Sequence, residues 1–248
     1  MDIIYTIWLR NMKRYTRSKS RIIGSISMPL FLLIFLGFGL NSVVTLPGSG
    51  DYIVFLIPGM VAMSVLFTSV FSGIQIIWDK QFGFLKETLV APVSRLEIML
   101  GQTAGGATSA VLQGSMILVL SLFIGLRVSN ITGFLIAFLF MVLIGISFTA
   151  FGIAIASRME DMTGFQLIMN FVIFPIFGLS GALFPISSLP SWIVPLTLLD
   201  PLTYGVEGIR YGLTGVYQIN PLICFAVIGC FSLAMTIIGA FLFRKIKL

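Results

Sequence analysis

Histidine is absent from all 248 residues, which excludes HExxH zinc sites, Ser-His-Asp triads and Cys-His dyads. Charge is scarce as well. Only 10% of the residues are Asp, Glu, Lys or Arg, where a soluble domain carries about a quarter. The nine acids, Asp2, Asp51, Asp79, Glu87, Glu97, Glu160, Asp161, Asp200 and Glu207, all fall between apolar runs or at their ends. No intramembrane carboxylate dyad is therefore expected, nor a group of the kind that proton-driven carriers use inside the bilayer. Cysteine occurs twice, Cys224 and Cys230, on different faces of one expected helix and poorly placed to bridge each other. The glycine-rich stretch Gly101-Gln-Thr-Ala-Gly-Gly-Ala-Thr108 lacks the lysine of a phosphate-binding loop. Any nucleotide chemistry is expected in another polypeptide.

Apolar residues are what the chain has in excess: 58% of it is hydrophobic, with a mean hydropathy of +1.08. At about 20 residues per bilayer crossing, the length accommodates roughly six helices and leaves no room for a soluble catalytic domain. The apolar runs place these spans near 22–43, 53–78, 98–126, 131–156, 164–184 and 220–243, with kinks expected at Pro29, Pro58 and Pro175. The first run is too long for a signal-peptide core and no small-x-small cleavage site follows it. It is expected to stay in the mature protein.

Basic residues are distributed unevenly. Six precede the first span, three lie in the segment 79–97, one is Arg158 and three end the chain, against Arg127 and Arg210 alone on the opposite side. By the positive-inside rule both termini and the 79–97 and 157–163 loops are cytoplasmic. The net charge of +6 is thus accounted for by topology and anionic headgroups, and no nucleic-acid site is read. Ile4, Ile7, Trp8, Met12 and Tyr15 recur at helical spacing before the first span, interleaved with Arg10, Lys13, Arg14 and Arg17. That pattern describes an amphipathic helix in the headgroup layer; a basic leader that is merely helical is the plainer account.

Two connections are more than turns. In the cytoplasmic segment from Asp79 to Arg95, Phe82, Leu85 and Leu89 share one face of a short helix beside Lys86 and Glu87, and Pro92 ends it. Such a face either docks on another protein or rests on the membrane. The outward segment carries Pro185, Pro190, Pro195 and Pro201 yet stays apolar around Trp192, and stretches this short re-enter or lie at the interface. Glu207 and Arg210, three apart, can pair on the helix that follows, with an ordinary surface ion pair as the other account. Gln166 and Asn170 share one face of the fifth span, which is assigned to interhelical packing or to a substrate path. The small-residue pairs Gly101/Gly105 and Gly208/Gly212 are read as close packing.

With these elements in place the chain resembles the ABC-2 type permeases, the membrane subunits of a class of ABC exporters. The resemblance covers nearly the whole length. It is carried by the amphipathic amino-terminal helix, by Gly83-Phe-Leu-Lys-Glu-Thr-Leu-Val-Ala-Pro-Val-Ser-Arg-Leu-Glu-Ile-Met-Leu-Gly101, and by Leu199-Asp-Pro-Leu-Thr-Tyr-Gly-Val-Glu-Gly-Ile-Arg210. Lys86-Glu87 departs from the order of the polar pair in many relatives.

The resemblance implies a single all-α integral membrane domain over 1–248, with six transmembrane helices, an interfacial helix in 1–21, a coupling helix in 79–97 and outward re-entrant helices in 185–219. It implies ATPase coupling by Phe82, Phe84, Leu85, Lys86, Glu87, Leu89, Pro92 and Arg95, and an outward gate of Pro185, Trp192, Pro201, Tyr204, Glu207 and Arg210. Expected partners are two copies of an ABC ATPase, which bind ATP and Mg, and a second permease copy, identical or paralogous. The chain itself would hold no cofactor and export a drug, lipid or lipid-linked glycan through the cell membrane. A self-sufficient carrier or channel is the alternative, and would need coupling groups of its own.

Overall fold

A computed structural model describes residues 3–41, 51–84, 93–126 and 130–245. Among these the secondary structure is entirely helical: α1 Ile3–Arg17, α2 Lys19–Leu40, α3 Tyr52–Phe71, α4 Ile74–Gln81, α5 Arg95–Ile124, α6 Ile131–Ala156, α7 Met162–Leu179, α8 Val194–Leu199, α9 Pro201–Thr214 and α10 Pro221–Arg244, with one 3₁₀ turn at Ile186–Ser188. Six apolar stretches are long enough to cross a bilayer: Ile22–Leu40, Tyr52–Gln81, Arg95–Ile124, Ile131–Ala156, Met162–Leu179 and Pro221–Arg244. The sequence expectation of six spans is met.

Three boundaries differ from those expected. The second span runs on to Gln81 and is interrupted at Ser72–Gly73, whereas Pro29, Pro58 and Pro175 sit inside unbroken helices. At the interruption the Ser72 hydroxyl donates to the Ser69 carbonyl at 2.6 Å, and Gly73 lies directly on Gly152 of α6. The third span begins at Arg95, fixed by a reciprocal capping box between Ser94 and Glu97. The fifth ends at Leu179, short of 184, where Gly181 adopts a φ of +68° that turns the chain away before Pro185.

α3 is the buried axis, with Leu56, Ile57, Met60, Val61, Val65 and Leu66 fully enclosed. α5, α6 and α9 pack around it, while α2, α7 and α10 are peripheral and show apolar side chains such as Phe31, Phe171 and Ile237 outward. In a bilayer there is no hydrophobic gain in bringing two helices together, so van der Waals contact between close backbones has to hold them. The glycines supply it. Gly101 and Gly105 receive Ile7 and Asn11 of α1, and Gly208 and Gly212 receive Phe140 and Ala137 of α6, so both small-residue pairs pack within the chain.

A Cβ at Gly212 would come within 2.6 Å of the Gly133 carbonyl oxygen and the Ala137 backbone nitrogen. Backbone cannot give way as a side-chain tip does, so Gly212→Ala is expected to destabilise by about 1–3 kcal/mol. Gly178→Ala, whose Cβ would meet nothing within 4 Å, is expected to leave the melting temperature in detergent unchanged or higher.

Candidate functional site

The ends of the helices gather charged and polar side chains into two clusters. One lies where α1, α4 and the start of α5 meet the end of α6. Asp79, expected in a loop, lies in the last turn of α4 and is only 6% exposed. Its carboxylate accepts from Arg10 Nη2 at 2.7 Å, Gln75 Nε2 at 2.7 Å and Gln102 Nε2 at 3.2 Å. Asn11 Nδ2 donates to Gln102 Oε1 at 2.8 Å, so three helices converge on one carboxylate. The guanidinium of Arg10 also covers the ring of Phe84 at 4.3 Å, and that of Arg14 covers Trp78 at 4.5 Å.

The next residue, Lys80, reaches the opposite way. Its ammonium donates to the carbonyls of Ala156, Ser157 and Met159 at 3.2, 2.7 and 3.1 Å, satisfying the open C-terminal end of α6. Gln81 adds a bond to the Glu160 carbonyl. α4 is thereby tied to α1 and α5 on one side and to the α6–α7 turn on the other. Phe82, just beyond, is 79% exposed, followed by Gly83 at a φ of +78° and the exposed Phe84. Leu85, Lys86, Glu87, Leu89 and Pro92 lie outside the described residues. Arg95, expected at the edge of the coupling segment, is the first residue of α5 and donates to the Arg244 carbonyl at the end of α10.

α1 is held more firmly than an amphipathic pattern requires. It runs alongside α5 in the same direction, burying Ile7, Met12 and Tyr15. Trp8 Nε1 donates to Thr108 Oγ1 at 3.0 Å and Tyr15 to Gln113 Oε1 at 2.6 Å. The face read as lipid-seeking is therefore covered by protein.

The second cluster is at the opposite end. Glu207 and Arg210 of α9 form an ion pair at 1% and 3% exposure, which corrects the surface-pair account: α9 is sandwiched against α6, α3 and α10. Arg210 Nη2 also donates to the Gly181 carbonyl at 2.8 Å, Glu207 Oε2 accepts from the Gln218 backbone N–H at 2.7 Å, and Phe55 lies 4.2 Å beneath the guanidinium. The pair thus fastens the turn after α7 and the loop before α10 to α9. Tyr204 donates to the Leu198 carbonyl at 2.7 Å, tying α9 back to α8. Pro185 is buried and Pro201 starts α9, while Trp192 stands 72% exposed. A cavity of about 980 Å³ opens beside them, lined by Phe55, Pro185, Leu189, Val194, Arg210 and Ile219 among others.

Sequence reasoning passed over Asp200. It caps α9 by accepting from the Leu202 N–H at 2.9 Å, its second oxygen has no partner among the described residues, and burial pushes its pKa from 3.8 to about 7. Asp-Pro before a helix was the available signal. Gln166 and Asn170 are brought together on α7 but stay exposed, so packing between helices of this chain does not use them.

Two outcomes follow. Glu207→Gln leaves Arg210 buried without its counter-charge and is expected to cost about 3–5 kcal/mol, read as a lowered melting temperature in detergent. At Asp200 the folded chain holds its proton more tightly than the unfolded one, so its stabilising contribution is complete below about pH 3.8 and is lost as pH rises through about 7. The melting temperature should fall across that window, and Asp200→Asn, which keeps the helix cap, should flatten the dependence.

Against known proteins, the profile of the ABC-2 type transporter family matches residues 3–214. The inner membrane transport permease YadH of Escherichia coli (strain K12) is 25% identical over 236 residues, 94% of this chain and 91% of that protein. Nodulation protein J of Rhizobium meliloti (strain 1021) is 29% identical over 234 residues, 91% of this chain and 88% of that protein. The putative transport permease ycf38 of Cyanophora paradoxa is 28% identical over 198 residues, 77% and 67% of the two chains. A six-span helical membrane protein with a family match over most of its length, this chain belongs to the ABC-2 type transporter family.

Proposed function

We propose that the chain is the membrane subunit of an ATP-driven exporter, moving a hydrophobic or amphipathic substrate outward while separate ATPase subunits bind and hydrolyse ATP with Mg. The observation that carries this reading is the Arg10–Asp79 joint. It sits at the root of the segment that begins with Phe82 and locks that root to α1 at 2.7 Å, with Gln102 tying the same carboxylate to α5 at 3.2 Å. A push delivered to Phe82 and Phe84 at this root bears on three helices joined at the Asp79 carboxylate. Only a difference in contacts between two partner states can shift such an equilibrium, and the exposed Phe82 and Phe84 supply apolar contact area for it.

In the same reading, two permease copies, identical or paralogous, meet across apolar faces of the peripheral helices. Gln166 and Asn170 then line the path between them, polar positions on an otherwise apolar exposed face. The segment from Pro185 through α9 closes the path on the outer side, with Glu207 and Arg210 holding it together. α9 is 14 residues long, about 21 Å, too short to cross a hydrocarbon core of about 30 Å. Both termini and the 79–97 segment face the cytoplasm by charge.

The carrier alternative draws its support from Asp200, a buried carboxyl with an open oxygen and a pKa of about 7. Reconstitution separates the two. The exporter reading expects transport in liposomes only with the ATPase and ATP; transport by the chain alone under a pH gradient, abolished by Asp200→Asn, would replace it. Within the exporter reading, the triple change of Phe82, Leu85 and Leu89 to Ala is expected to insert at wild-type level yet lose about tenfold or more of its ATP-coupled transport or ATPase association. Wild-type association and transport in that variant would sink the coupling role.

A further inference from the structure

The elbow between α1 and α2 carries a charge excess that none of the bonds described above uses. An open concavity of about 780 Å³ there is lined by Arg10, Lys13, Arg14, Arg17 and Lys19, with the hydroxyls of Ser18 and Ser20. Arg10 is committed to Asp79 and Arg14 to the face of Trp78. Lys13, Arg17 and Lys19 are exposed and form no ion pair among the described residues. The elbow immediately precedes the first span at Ile22, the depth at which headgroup phosphates lie.

The concavity does not end at the cations. It shares Arg14 and Ser18 with a second hollow of about 390 Å³ bounded by Phe71, Trp78 and Met162. That hollow shares Phe71 with a third, of about 330 Å³, bounded by Gly24, Met28, Phe67 and Phe174. Linked by these shared residues, the three hollows run from basic at the elbow to mainly apolar along α2, α3 and α7, where Gln75, Gln166 and Asn170 are polar exceptions. From Lys19 to Pro29 along α2 is about 15 Å, a length that accommodates much of one acyl chain.

We propose that the elbow is a binding site for the phosphate headgroup of an anionic phospholipid, whose acyl chains lie in the groove between α2, α3 and α7. Charge complementarity selects the head, since three unpaired cations with two hydroxyls beside them match a phosphodiester. The apolar continuation selects a lipid over a soluble phosphate. The groove includes Gln166 and Asn170, which the proposed function places on the substrate path, but retention of a lipid by the purified chain is read without transport and so stands or falls separately from the export reading.

The test is native mass spectrometry of the whole purified chain equilibrated with equimolar phosphatidylglycerol and phosphatidylcholine of equal chain length. Retention of phosphatidylglycerol is expected to exceed that of phosphatidylcholine about tenfold. Lys13→Gln/Arg17→Gln/Lys19→Gln should abolish the preference at unchanged helix content and elution volume, and Lys13→Arg/Lys19→Arg should keep it. Gly24→Leu adds a side chain where a Cβ meets nothing within 4 Å; it leaves every charge in place and should weaken long-chain more than short-chain phosphatidylglycerol.

Equal retention of the two lipids, or a preference that survives the triple change, overturns the proposal. So does full displacement by excess glycerol 3-phosphate, which would make the site one for soluble phosphates. Loss of a co-purifying ATPase from the triple variant with the lipid preference intact would reassign the patch to a protein partner, and overturn it too.

Discussion

A charge or hydrogen-bonding group carried into hydrocarbon has no water to turn to, and each one left unmatched costs several kcal/mol. This constraint organises the molecule at both ends of its buried axis. Asp79 is tolerable because three donors from α1, α4 and α5 meet it, and Arg210 because Glu207 and the Gly181 carbonyl do. Each group has one partner on its own helix, Gln75 for Asp79 and Glu207 for Arg210, and takes the rest from distant parts of the chain. The helices are consequently held in one register by groups that would be costly in any other, a role in which buried polar groups give specificity as well as binding.

Between the two clusters the opposite economy holds. α3 and its neighbours carry few polar side chains and rely on close approach, with Gly152 on the carbonyl of Val70 and Gly59 on that of Ala182. Small residues make this possible because attraction between packed atoms falls away within an ångström or so of separation. The bundle is thus close-packed in the middle and specified by polar partners at its ends.

The sequence made the six spans legible, because runs such as 131–156 have no other stable solvent than lipid. It also marked the two segments to which the proposed function assigns coupling and gating, through the prolines around Trp192 and the amphipathic stretch after Asp79. What stayed hidden depended on partners distant in the chain. Glu207 and Arg210 at i, i+3 look alike on a surface and in a core, and only the packing of α9 on α6 decides between them. α1 read as a lipid-facing helix since nothing in residues 3–17 announces that Thr108 and Gln113 will meet Trp8 and Tyr15. The break in the second span was looked for at Pro58, but proline is readily accommodated in a membrane helix, and Ser72–Gly73 yields where α6 presses closest. Asp200 was passed over because its burial comes from elements on either side of it.

Lys80 has an implication for biogenesis. The carbonyls of Ala156, Ser157 and Met159, at and just beyond the end of α6, receive donors from a side chain 76–79 residues earlier in the chain. The turn before α7 closes part of the helix end itself, with the Arg158 and Met159 N–H groups donating to the Ile155 and Ala156 carbonyls, and Lys80, made earlier, adds the donors that this turn does not supply. Order of synthesis and order of stabilisation thereby coincide: an earlier span acts as the template on which a later one is closed.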